Sequence, residues 1–150
     1  MTDQIESADF RQRIEETWLS WLQRRNQAGG RLVFLMTLIL YPIFGFLDWV
    51  TAPEELVEIL WVIRASVIIL AAILYLLLVR RSTSKHFTLL TSLLTLVTGF
   101  GIIAMVVLLG GYEHPYYAGI NLVMIGTGLL FLWPPKVSVV VYGSIVVGYF

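Results

Sequence analysis

Long apolar runs separated by short polar stretches dominate this chain. Four of them fall at roughly 32–50, 56–79, 87–109 and 116–133, and a fifth opens at 137 and is still apolar at Phe150. Each of the first four is close to the roughly 17–25 residues a helix needs to cross a hydrocarbon core, and the fifth, about 14 residues long, falls short of it. The pattern predicts an all-α, polytopic transmembrane helical bundle with four full spans and a truncated fifth. A chain that stops inside a helix reads as the front part of something longer, and one more complete helix would bring the expected count to six spans.

Residues 1–30 differ from the rest. They are polar overall, yet Phe10, Ile14, Trp18, Trp21 and Leu22 recur at helical spacing opposite Arg11, Glu15, Glu16 and Arg25. This predicts an amphipathic helix, with Asp9 and Gln12 placed to cap its start and Gly29-Gly30 placed to end it. Residues 1–30 are thus expected to lie along the membrane surface, and 31–150 to form the membrane domain. A helix packed on a soluble partner domain has the same pattern and competes with that reading. A signal peptide does not fit, because the first apolar run starts late and no small-residue cleavage site follows it.

Charge placement then sets an orientation. Arg11, Arg13, Arg24, Arg25 and Arg31 precede the first run; Arg80, Arg81 and Lys85 follow the second, and Lys136 follows the fourth. The turns at 51–55 and 110–115 hold acids but no lysine or arginine. This alternation obeys the positive-inside rule with the N-terminus in the cytoplasm, as for a multi-pass protein of a bacterial inner membrane.

Composition agrees. The chain is 58% hydrophobic and 13% charged, against about half and a quarter for soluble domains, and its mean hydropathy is +0.82. Zero formal net charge gives no reason to expect nucleic acid as a partner. The absence of cysteine excludes disulfides, thiolate metal sites and cysteine nucleophiles. His86 and His114 lie in different polar turns without metal-ligand spacing, so no metal and no cofactor is expected. No phosphate loop, H-E-x-x-H or G-x-S-x-G motif is present, so no catalytic residues are assigned.

Few polar residues lie within the apolar runs, and these are the candidate site. Arg64 is the one basic residue inside a span; an arginine near the bilayer centre costs about 2.5–3.5 kcal/mol, so it should face protein or water. Asp48 is its nearest partner by depth, whereas Glu58, six residues away on the same helix, falls on another face. The pair is either a structural lock between the first two helices or the wall of a polar pocket, unless Arg64 snorkels to the interface. Asn121 lies about one turn below Tyr117 and is either interhelical glue or a ligand contact. Tyr116 and Tyr117 mark one interface and Trp133 the other. His114 and Glu113 read as solvated loop residues, or as a pH-sensitive lid in the case of His114. Pro42 is expected to kink the first span. The glycines at 99, 101, 119, 126, 128, 143 and 148 are expected to favour close helix contact.

Arg31, LYPIFGFLDWV (40–50), the acidic-proline turn, LWVIR (60–64), the basic turn and PYYAGINLVMIGTGLLFLWPP (115–135) together resemble a known kind of module. They are similar to the N-terminal six-helix membrane modules of bacterial sensor histidine kinases and class III adenylate/guanylate cyclases. The layout resembles that of the α-hydroxyketone quorum-sensing receptor kinases. The resemblance covers about 31–150, and YYAGINLV (116–123) is its most specific part. It implies a sensory module, working as a homodimer in the lipid bilayer, that answers a lipophilic or amphiphilic signal. Such a module regulates a cytoplasmic kinase or cyclase domain that is not in this chain. Arg64, Asp48, Asn121, Tyr116, Tyr117 and His114 would then form the ligand site. A small transporter or channel subunit, or a passive dimerising membrane anchor, are the alternative functions.

Overall fold

The computed structural model describes residues 2–80, 84–111 and 116–150, with side chains except at 2–12, Gln23, Leu47, Ser84 and Lys85. Five helices follow one another among the described residues: α1 Thr2–Thr51, α2 Glu54–Arg80, α3 Ser84–Leu108, α4 Tyr117–Leu130 and α5 Pro135–Tyr149. Three of them, α1, α2 and α3, hold stretches long and apolar enough to cross a membrane; α4 and α5 are shorter apolar helices. The core sits around α3, which packs against each of the other four helices. Phe34, Leu60, Leu94, Met105 and Ile145, one or two from each of α1, α2, α3 and α5, are among its fully buried side chains.

Helix ends follow local chemistry. Glu54 and Glu55 open α2 and Arg80 closes it, each charge complementing the helix dipole at its own end. Gly110 and Gly111, at φ +103° and +81°, take the left-handed backbone that lets the chain leave α3. Pro134 and Pro135 disfavour helical backbone in the residues before them, so α4 stops at Leu130 rather than at Trp133. Pro135 then occupies the first turn of α5, where its missing N–H costs nothing.

The N-terminal segment departs from expectation. Helix α1 begins at Thr2 rather than near Asp9 and runs unbroken through Gly29-Gly30 to Thr51. At about 1.5 Å per residue its 50 residues extend about 75 Å, more than twice a hydrocarbon core. The amphipathic segment is therefore a continuation of the first long apolar helix and not a separate element. The two glycines are contact points instead of a stop signal. A Cβ on Gly29 would lie 2.5 Å from the Leu130 carbonyl oxygen, and one on Gly30 would collide with the Phe87 ring. Pro42 lies inside the same continuous helix.

Just beyond Leu130 the chain is non-helical as far as Pro134. The freed backbone is satisfied by side chains from elsewhere: Asn26 accepts from the Leu132 N–H at 3.0 Å and donates to its carbonyl at 3.3 Å. The Trp133 indole N–H donates to the Thr91 hydroxyl at 3.2 Å. Irregular backbone next to apolar helices is tolerable only with such partners.

Candidate functional site

Near the ends of α1 and α2 that meet at residues 51–54, one guanidinium ties three segments together. Arg64 Nε donates to Asp48 Oδ2 at 2.6 Å and Nη2 to Oδ1 at 2.9 Å, a two-pronged ion pair between α2 and α1. Nη1 donates to the Tyr41 carbonyl at 3.1 Å, and Nη2 also reaches the Tyr116 hydroxyl, just before α4, at 3.4 Å. The Tyr41 and Tyr116 rings lie 5.5 and 6.0 Å from the guanidinium carbon. Asp48 is fully buried and Arg64 is 3% exposed. Burial of both charges is tolerable because each neutralises the other and nearly every donor is used; four contacts leave one of arginine's five N–H groups.

Local sequence makes room for this node. Gly45 lies on α1 between Tyr41 and Asp48, and a Cβ there would sit 3.0 Å from Arg64 Cδ. Its missing side chain is the seat of the arginine. Tyr41 extends the node into α3 by donating its hydroxyl to the Thr98 carbonyl at 3.1 Å. Gly101, where a Cβ would approach Val67 and the Tyr41 hydroxyl, allows that approach.

Arg64, Tyr41 and Tyr116 also line one end of a cavity of about 790 Å³ between α1, α3 and α4. The remainder of the wall is mainly apolar, with Met36, Leu40 and Phe44 from α1, Ile102 and Met105 from α3, and Leu122, Val123 and Gly126 from α4, interrupted by Thr37, Thr51, Thr98 and Thr127. From Leu32 to Thr51 the groove follows α1 for about 28 Å at about 1.5 Å per residue. Leu32, Met36, Phe44 and Leu122 on its wall are themselves exposed, so it opens sideways from the bundle. The volume lies within the roughly 300–1,000 Å³ usual for small-molecule sites.

The structure thus joins Arg64, Asp48 and Tyr116. Tyr117 and Asn121 stand apart: both are exposed, neither lines the groove, and the Asn121 side chain makes no hydrogen bond among the described residues. His114 and Glu113 lie outside the described residues. Tyr41, Gly45 and the groove were not among the residues singled out from sequence. The signal for Tyr41 was its place seven residues before Asp48, two turns along one face of α1. Of the glycines expected at contacts, those at 99, 101, 119, 128 and 148 meet neighbouring side chains, Gly128 at the Tyr142 hydroxyl, whereas a Cβ at Gly126 or Gly143 would meet nothing. No group of acidic or histidine side chains among the described residues is placed to hold a metal.

Comparison with protein families, with curated proteins and with solved structures yields no match to this chain.

Proposed function

We propose that this chain is a membrane-embedded sensory module that takes up an apolar or amphiphilic small molecule in the groove between α1, α3 and α4. The observation that carries the proposal is the groove itself. It is long, apolar and open sideways, with a single polar node at one end. A molecule with an alkyl body and a small polar head fits that division, body along Met36 and Leu122, head beside Arg64 and Tyr116.

In this account α4 and α5 also cross or enter the bilayer, giving four spans and the start of a fifth in a bacterial inner membrane. The basic turns lie in the cytoplasm and the Arg64 node lies near the outer surface. Because the node ties α1, α2 and the start of α4 together, a ligand that contacts it differently in two packings of the bundle shifts the balance between them. The cytoplasmic helix ends pass the shift to a kinase or cyclase output domain. A solute path is disfavoured, since the Arg64–Asp48 charges are already spent on each other and the groove offers few other polar groups.

Photolabelling in nanodiscs by a diazirine-bearing long-chain alcohol tests this. Labelling should saturate and be competed by the unmodified alcohol, and Gly126→Trp should abolish it by filling the groove. A Cβ at Gly126 meets no neighbour, so the backbone there accepts a side chain, and the variant is compared only where its thermal unfolding matches the parent. Non-saturating labelling, unchanged by Gly126→Trp in a folded protein, would overturn the proposal.

A further inference from the structure

We infer that two copies of this chain pair through the outward face of α4, with their Asn121 amides hydrogen-bonded to each other. Helix α4 has three faces. Gly119, Val123 and Gly126 line the groove, and Ile120 and Thr127 are buried against the bundle. Tyr117, Asn121, Ile125 and Gly128 are exposed on a third face. At about 100° per residue Asn121 points about 140° away from Gly126, so this surface is separate from the groove.

Asn121 sits four residues inside an apolar helix, about 6 Å from its start. Its side chain is too short to reach an interface from there, and it has no hydrogen-bond partner among the described residues. In the bilayer placement of α4 proposed above, on which this pairing rests, an amide facing hydrocarbon without a hydrogen bond is unfavourable, which drives it towards another polar group. The occupant that fits is a second copy. A primary amide is both donor and acceptor, so two of them related by a two-fold axis satisfy each other. The face carries no charge, so identical copies meet without repulsion. Tyr117, Asn121, Ile125 and Gly128 fall at four- and three-residue spacing, the seam of a crossing helix pair, with the amide fixing its register.

The test uses the absence of cysteine from the sequence. In native membranes, full-length chain carrying Ile125→Cys should form disulfide-linked dimers on mild oxidation. Leu76→Cys on α2 and Val140→Cys on α5, at positions 57% and 64% exposed, should not. Adding Asn121→Leu should weaken pairing about tenfold, from the amide bond's typical worth in membranes, and Asn121→Gln should restore most of it. Crosslinking at Leu76 or Val140 equal to that at Ile125, no crosslinking at Ile125, or insensitivity to Asn121→Leu would each overturn the inference. So would crosslinking of Ile125→Cys only to a different membrane protein.

Discussion

Arg64 and Asp48 make a buried, doubly hydrogen-bonded pair, and its behaviour on substitution is asymmetric. Removing one partner strands the other charge, so Arg64→Ala or Asp48→Ala should each lower stability by about 3–5 kcal/mol. Replacing both at once, Arg64→Met with Asp48→Leu, should recover much of that loss, because the desolvation cost disappears with the charges. Thermal unfolding in detergent compares the three variants. Tyr41→Phe removes only the bond to the Thr98 carbonyl and should cost about 0.5–1.5 kcal/mol by the same measurement. The pair was legible in the sequence because a lone arginine in an apolar run demands an acid at similar depth. Tyr41 and Gly45 were not, since a tyrosine and a glycine in such a run make no comparable demand.

The elements divide in the same way. Length and hydropathy were enough to find the apolar helices, and Gly110-Gly111 and Pro134-Pro135 mark two of their ends. Rotation of each helix about its axis was not readable. A helix apolar all round carries no periodic signal to separate a face turned to protein from one turned to lipid. Asn121 therefore had an expected depth but no expected direction, and it points outward rather than towards Arg64. Gly29-Gly30 shows a related ambiguity. The same dipeptide ends a helix in water and lets helices touch in a bundle, and only the neighbours Leu130 and Phe87 decide. Gly30→Leu should consequently disrupt the α1–α3 contact, where a flexible linker would tolerate it. Asn26→Ala removes both bonds to Leu132 at an exposed site, where water can replace them, and should cost about 0.5–1.5 kcal/mol. Hydrogen exchange at the amides of 131–133 would report that loss as faster opening.

At the scale of the molecule, a core around α3 holds four other helices, and the space left between α1, α3 and α4 is the groove. Its polar end is the node that also fixes how α1 and α2 meet, so under the proposed function a molecule held there would act on helix packing directly. The measurement that tests this most directly is mass-spectrometric mapping of where a diazirine-bearing long-chain alcohol attaches to the full chain in nanodiscs. Attachment concentrated on Met36, Met105 and Leu122, and competed by the unlabelled alcohol, is the expected result. Attachment spread over outward-facing positions such as Ile69, Leu76 and Leu129, with the groove residues unlabelled, would contradict a binding module and leave a passive anchor.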